Sequence, residues 1–410
     1  MSLLGGNPRY RRYFVARFSS VTGSTVAPLA LAFAVLNAGG GATALGVVLV
    51  TGPVIYMVLS PVAGVLADRL PRIAIIIASQ MVSGLSQAVS AVLVLTGAAE
   101  VWELALLALL SGAAGAFFQP AVQGLVPQIV AGSVLVEANA LLQLANNSVA
   151  IIGPAVAGTV IAVAGPGWVL LWDALTFAIS AILFATLRVP AGRRERPRLW
   201  TDLRDGWSAF ASRGWLLVLT IQLAITSGAW AAGISVLGPV YAKQYLDGPV
   251  AWGLVGSATG IGLAIGSVAS LLLRPTRVGL IMCGAVVPEA LLLAGMAAGM
   301  PLPMIATAAV ATGAAGTFQL ITWNSFLQRW IPDQEFSRVI ATSSTIATVL
   351  VPVAYAAVGP LTAAVGVRPV LWGCTVICLA AAIASVSVAD VRQLSNQPGF
   401  RCSPQSLRQP

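Results

Sequence analysis

Histidine is absent from this chain of 410 residues, and charged residues make up only 9% of it. Without histidine the chain cannot form a Ser-His-Asp triad, a Cys-His pair or a histidine metal site. A G-x-x-x-x-G-K-[ST] phosphate-binding loop is also missing, which argues against an ATPase. Cys374 and Cys378 lie one helical turn apart but have no acidic neighbour in sequence, so ordinary packing is expected of them. We therefore expect no enzyme, no cofactor and no metal site.

The scarcity of charge also argues against a soluble protein. Hydrophobic residues make up 58% of the chain, and the mean hydropathy is +0.90. A soluble domain carries about 25% charged residues, so this composition indicates a lipid environment. The apolar runs are long and do not alternate with polar residues, which favours membrane-spanning helices over a β-barrel.

Polar or Gly/Pro-rich breaks divide the sequence into twelve expected spans. They are 13–36, 44–66, 73–96, 102–124, 138–163, 168–188, 214–240, 251–273, 278–299, 303–327, 336–359 and 368–390. The longest polar segment, 188–214, separates six spans from six. We expect an all-α fold with a first bundle over 1–190, a linker over 191–213, a second bundle over 214–390 and a disordered tail over 391–410. In the linker, apolar residues at helical spacing predict an amphipathic helix over 199–210.

Basic residues predict the orientation of the chain. On this map 20 of the 22 lysines and arginines lie on one side, and only Lys243 and Arg368 lie on the other. The positive-inside rule then places both termini and the linker in the cytoplasm of a cell-membrane protein. Because topology explains the net charge of +9, we expect no nucleic-acid partner.

A short phrase occurs once in each half. Residues 112–119 read GAAGAFFQ in the fourth span, and residues 313–319 read GAAGTFQ in the tenth. Chance recurrence is the simple alternative in a chain rich in alanine and glycine. Internal repeats of this kind are typical of secondary transporters, whose substrate site lies between the repeats.

One stretch after the second span carries a family resemblance. The sequence GVLADRLPR resembles the G-x-x-x-D-R-x-G-R-[RK] signature of the major facilitator superfamily, with matches at Gly64, Asp68, Arg69 and Arg72. Pro71 replaces the usual glycine. The resemblance implies a cytoplasmic latch, in which Asp68 caps a neighbouring helix, usually helix 11. The alternative is that both arginines only set the topology.

A second stretch, GPAVAG, resembles the antiporter motif G-P-x-x-G-G of exporting branches of that superfamily. Gly153, Pro154 and Gly158 match, with one extra residue before Gly158. A plain proline kink is the alternative. The wider pattern over 125–177 resembles the macrolide-efflux and enterobactin-exporter branch. This implies export of a drug, siderophore or secondary metabolite by alternating access, in exchange for protons. We expect the protein to act as a monomer.

In that superfamily helices 1, 4, 7 and 10 line the substrate cavity, with helix 5 beside them, so polar side chains in those spans are candidate ligands. They are Arg17, Ser20 and Ser24; Gln119; Asn139, Gln143 and Asn146; Gln222, Thr226 and Trp230; and Gln319, Thr322 and Trp323. The alternative is that these side chains form hydrogen bonds between helices. Arg17 is the only charged candidate, which favours a neutral or anionic substrate.

Two acids fall inside spans and are candidate proton carriers. They are Asp173 in the sixth span and Glu289 in the ninth. A carboxyl group can bind and release a proton when its surroundings change. Both acids could instead be structural. Uptake by the same fold, or lipid handling without transport, remain alternative functions.

Overall fold

The computed structural model describes residues 6–123, 125–130, 134–187, 207–208, 210–273 and 275–395. Within these ranges it leaves nine side chains undescribed: Val65, Ala67, Asp68, Arg69, Pro127, Val136, Asp333, Gln334 and Ser337. Most of the predicted linker helix, 199–206, lies outside the described residues, as do residues 396–410 of the predicted tail.

Twelve helices in the described residues are long and apolar enough to cross a membrane, as the sequence predicted. Nine are continuous: α1 Pro8–Asn37, α2 Ala42–Arg69, α3 Arg72–Thr96, α4 Val101–Gln123, α5 Leu135–Ala164, α6 Pro166–Ala185, α8 Gly248–Leu272, α10 Leu302–Trp330 and α12 Val367–Ser387. Three are built from segments: α7 from Gly214–Trp230, Ala231–Val236 and Leu237–Tyr245; α9 from Val278–Gly284 and Val286–Ala297; and α11 from Asp333–Thr348 and Leu350–Val365. Short helices cover Val126–Ile129 and Ala389–Gln393.

Most helix ends fall within a few residues of the predicted bounds, and the exceptions have local causes. Helix α1 begins at Pro8 rather than near residue 13 because Asn7 caps it, accepting from the backbone N–H groups of Arg9 and Tyr10 at 3.1 Å. Pro8 also suits the first helical turn, where its missing N–H has no partner to lose.

The breaks in α9 and α11 each precede a proline by four residues. Pro288 has no N–H for the carbonyl of Gly284, where the first segment of α9 ends. Pro352 stands in the same relation to Thr348, where the first segment of α11 ends. Helix α7 is interrupted by a π-helical turn, Ala231–Val236. It then continues to Tyr245, five residues past its predicted end.

The described residues fold into two compact units. The first comprises Met1–Glu195 together with Gly238–Ser257 and Val358–Ala363, so it includes segments of α7, α8 and α11. Its main packing pairs are α3 with α6, α2 with α4 and α1 with α6. Its apolar core near the start of α1 contains the fully buried Tyr10, whose hydroxyl donates to the carbonyl oxygen of Ala138 at 2.7 Å.

The second unit comprises Arg196–Leu237, Ala258–Ala357 and Ala364–Pro410. There α9 packs against α12 and α10, and α7 packs against α11 and α12. The short helix Ala389–Gln393 buries Val391 completely in the core of this unit. The tail predicted from residue 391 is therefore ordered at its start, because its apolar side chains are buried.

Candidate functional site

The repeated GAAG phrase marks the same helix crossing in each unit. A Cβ atom added to Gly112 of α4 would lie 2.5 Å from the carbonyl oxygen of Gly52 of α2. A Cβ atom added to Gly313 of α10 would overlap the carbonyl oxygen of Thr259 of α8. Both glycines thus allow two backbones to touch, whereas Gly316 has open space around it. This matched use supports a structural repeat rather than a chance recurrence.

The antiporter-like motif crosses a second motif of the same spacing. Residues 248–253 at the start of α8 read GPVAWG, against GPAVAG at 153–158 in α5. A Cβ added to Gly158 would overlap the carbonyl oxygen of Pro249, and one added to Gly253 would overlap that of Pro154. The backbone N–H of Ala155 donates to the hydroxyl of Ser257 at 3.0 Å. Within the first unit, the motif therefore forms a close backbone contact with α8.

Two predicted cavity residues meet at the break in α9. Gln222 of α7 donates its amide to the carbonyl oxygen of Met282 at 3.0 Å, and Gln319 of α10 donates to the same oxygen at 3.2 Å. The thiol of Cys283 donates to the Oε1 atom of Gln222 at 3.4 Å. This is the interhelical bonding that the sequence left open as the alternative to substrate contact.

Arg17 lies in α1 with an aromatic partner and no acidic one. Its guanidinium carbon lies 5.3 Å from the ring centre of Phe118 of α4, and Tyr13, one turn earlier in α1, is close enough to interact with it electrostatically. It forms no ion pair with any residue that the structure describes. A guanidinium group carries five N–H donors, so this arrangement leaves donors available for an anion.

The remaining cavity candidates are scattered. Ser24 donates to the carbonyl oxygen of Ser20, one turn back in its own helix. Gln143 is exposed and donates to Asn147 at 2.9 Å, while Asn146 is half-buried. Gln119 and Asn139 are exposed, Trp230 is half-buried, and Thr226 and Thr322 are buried. Trp323 is buried at 8% exposure against Trp215 and Phe326.

Each of the two predicted proton carriers lies in a helix that packs against other helices of its own unit. Asp173 of α6 is fully buried, and its Oδ2 atom accepts from Gln87 of α3 at 2.7 Å. Its Oδ1 atom has no hydrogen-bond partner and lies against Gly23 of α1, where a Cβ atom would overlap it. Asp173 is thus enclosed by three helices.

Glu289 lies in the second segment of α9, close enough to Cys374 and Cys378 of α12 to interact electrostatically with both thiol groups. Its Oε1 atom is buried and has no hydrogen-bond partner. These cysteines have no acidic neighbour in sequence, and Glu289 comes near them only because α9 packs against α12. No cluster of three or more metal-ligating side chains occurs in the described ranges.

Comparison with known proteins decides the family. A family model described as "transmembrane secretion effector", of the MFS group, matches residues 6–402. The chain belongs to the major facilitator superfamily.

Relatives and structural neighbours of this superfamily member are transporters. The chain is 26% identical over 392 residues to multidrug efflux pump Tap of Mycolicibacterium fortuitum, covering 92% of this chain and 95% of Tap. It is 23% identical over 233 residues to macrolide efflux protein A of Streptococcus pyogenes, covering 56% of this chain and 57% of that protein. The nucleoside transporter NupG has a TM-score of 0.73 at 11% identity, covering 92% of this chain and 98% of NupG. A bacterial homologue of the iron transporter ferroportin, in an inward-facing state, has a TM-score of 0.69 at 17% identity, with 93% and 99% covered.

The superfamily signature spans the end of α2, the two residues that follow it and the start of α3. Helix α2 continues through Gly64, Asp68 and Arg69, so that only Leu70 and Pro71 separate it from α3. The prediction that Asp68 and Arg69 follow the second span was wrong, because the helix ends only where Pro71 disfavours helix in the residue before it. The side chains of Asp68 and Arg69 lie outside the described atoms, and Arg72 is half-buried at the start of α3.

Sequence reasoning missed three residues that shape these sites. Gln87 lies among serines in an apolar span, so nothing in the sequence distinguished it, and Gly23 belongs to no recognisable motif. Ser257 had a signal that was available: the GPVAWG segment just before it repeats the spacing of GPAVAG.

Proposed function

We propose that this superfamily member exports small amphipathic compounds, neutral or anionic, by alternating access and in exchange for protons. In this proposal it lies in the cell membrane as a monomer with both termini in the cytoplasm. The observation that carries the proposal is a buried acid in each unit, Asp173 and Glu289, each with one carboxyl oxygen that has no hydrogen-bond partner.

An acid oxygen without a donor beside it can carry the proton itself. At Asp173, Oδ1 is available for a proton while Oδ2 keeps the bond from Gln87. At Glu289, the two thiols of Cys374 and Cys378 are the neighbouring polar groups. A carboxyl group enclosed by helices that move during transport meets different surroundings in each state, which is what proton exchange requires.

The direction of transport and the class of substrate are supported by different observations. Two relatives are named as efflux proteins, which supports export over uptake. Arg17, with Phe118 and Tyr13 but no acid, supports a substrate with an anionic or neutral acceptor group and an apolar body. Ser24, Gln119, Gln143, Asn146, Trp230 and Trp323 remain candidate cavity residues, while Gln222 and Gln319 are already bonded to Met282.

Transport in proteoliposomes of known protein orientation tests this proposal. A panel of anionic, neutral and cationic lipophilic compounds would be followed with and without an imposed pH gradient. We expect gradient-driven export of anionic or neutral compounds, lost in Asp173→Asn or Glu289→Gln and kept in the control Asp247→Asn, whose acid lies in the exposed α7–α8 connection.

Three results would contradict the proposal. Gradient-driven transport that survives both Asp173→Asn and Glu289→Gln would place proton coupling elsewhere. A cation as best substrate, carried in a way that Arg17→Ala abolishes, would contradict the substrate class. Movement of lipid alone, or accumulation toward the side of the termini, would support lipid handling or uptake instead.

A further inference from the structure

A groove of about 520 Å³ lies on the first unit between α1, α5 and α6. It extends along α5 from Ser148 to Val160, a length of about 18 Å at 1.5 Å per residue. Aromatic side chains from two helices line it: Phe18 of α1, and Trp168 and Trp172 of α6. The volume is in the range of pockets that bind drug-sized molecules.

The groove opens onto an exposed apolar surface of the unit. Its lining residues Ile152 and Val156 are 61% and 55% exposed, and Trp172 is 49% exposed. In a membrane-spanning bundle such exposed apolar side chains meet lipid rather than water. Any molecule dissolved in the bilayer can therefore reach the groove without crossing an aqueous phase.

The polar groups of the groove favour one kind of ligand. No charged side chain lines it. The hydroxyl of Thr22 donates to the carbonyl oxygen of Ser19, and that of Ser148 donates to Leu144, so both protons are used within their own helices. The indole N–H groups of Trp168 and Trp172 have no partner in the described part of the chain. The groove thus offers aromatic faces and two indole donors.

We propose that this groove binds an uncharged, ring-bearing lipophilic molecule from the bilayer. Its rings would pack against Phe18 and Trp172, and a carbonyl or ether oxygen would accept from an indole N–H. A rigid ring system suits these walls better than an acyl chain, which loses more rotational freedom on binding. The inference concerns binding and holds whether or not the bound molecule is then transported.

Binding of tritiated N-phenyl-1-naphthylamine to the full chain in lipid nanodiscs tests the proposal, with empty nanodiscs as background. This probe is uncharged, lipophilic and aromatic. Val156→Phe would fill the groove and is expected to abolish saturable binding. The control Val163→Phe places the same side chain on the same helix at a residue that is 84% exposed and outside the groove, and it should bind normally.

A second pair of variants tests the aromatic wall without filling the groove. Trp172→Leu should weaken binding roughly three- to tenfold, the loss expected for one aromatic contact. Trp372→Leu removes a tryptophan of similar exposure, 46%, from α12 and should change nothing.

Two outcomes would overturn the inference. One is unchanged affinity in both Val156→Phe and Trp172→Leu. The other is competition by methyl palmitate as strong as competition by unlabelled probe, which would identify a lipid acyl chain as the occupant. If Val156→Phe fails to fold, the Trp172→Leu and Trp372→Leu pair decides alone.

Discussion

Gly158 of α5 and Gly253 of α8 face each other so closely that a Cβ atom on either would lie 3.2 Å from the Cα atom of the other. The relationship is reciprocal, because the atom nearest to each added Cβ is the carbonyl oxygen of the proline in the other motif. Two G-P-x-x-x-G segments thus meet in one close backbone contact within the first unit. Such a contact forms or breaks as a whole, since no flexible side chain separates the two helices.

We expect a large residue at either glycine to prevent this contact. Gly158→Leu and Gly253→Leu should each lower the free energy of unfolding by about 1–3 kcal/mol, the usual cost of overpacking. Both variants should also lower the rate of transport. Thermal unfolding in detergent and proteoliposome transport would measure the two effects. Gly316→Ala is the control, since nothing lies within 4 Å of its added Cβ. Wild-type stability in both leucine variants would show that the contact is absent in the membrane.

Ser257→Ala should remove the hydroxyl oxygen that accepts from the backbone N–H of Ala155 at 3.0 Å. Pro154 has no N–H, so this turn of α5 already lacks one helical hydrogen bond. We expect a loss of about 1 kcal/mol in the free energy of unfolding, and faster hydrogen exchange at Ala155. Ser267→Ala is a matched control in the same helix, because its hydroxyl bonds only its own turn, to Leu263. Equal exchange rates at Ala155 in Ser257→Ala and Ser267→Ala would contradict a hydrogen bond between Ala155 and Ser257.

Lys243 connects the end of α7 to the end of α1. Its ammonium group donates to the carbonyl oxygen of Leu36 at 2.6 Å, where the helix dipole of α1 favours a cation. Removing the charge in Lys243→Met should loosen this contact and increase thiol labelling of a cysteine placed at Thr362, which lines a surface pocket together with Leu36 and Lys243. Gln244→Met is the neighbouring control. Labelling rates that rise equally in both variants would exclude a specific role for the lysine.

Gln222 and Gln319 should be energetically coupled through the carbonyl oxygen of Met282. Gln222→Leu is expected to cost about 1–2 kcal/mol and Gln319→Leu less, because Gln222 is only 3% exposed and also accepts from Cys283. The double variant should cost more than the sum of the two single variants, since in each single variant the remaining amide still donates to the carbonyl of Met282, and only the double variant removes both donors. Denaturant unfolding of the four proteins measures this. Strict additivity would show that the two bonds are independent.

Part of the site could be read from the sequence because it depends on local patterns. The GAAG phrase predicted matched positions in α4 and α10, and both first glycines lie at equivalent crossings. The partners of polar residues could not be read in this way. Gln222 and Gln319 were expected beside a substrate, and only the packing of α7, α9 and α10 shows both bonded to Met282.

The sequence by itself determined twelve membrane-spanning helices and the superfamily. The reason is physical: span length and hydropathy are properties of a continuous segment, and every backbone group in lipid must be satisfied within its own helix. Tertiary structure alone decided that Asp173 lies between Gln87 and Gly23, that Glu289 lies beside Cys374, and that GPAVAG meets GPVAWG. These relationships join residues far apart in the chain, and they exist only once particular helices have packed together.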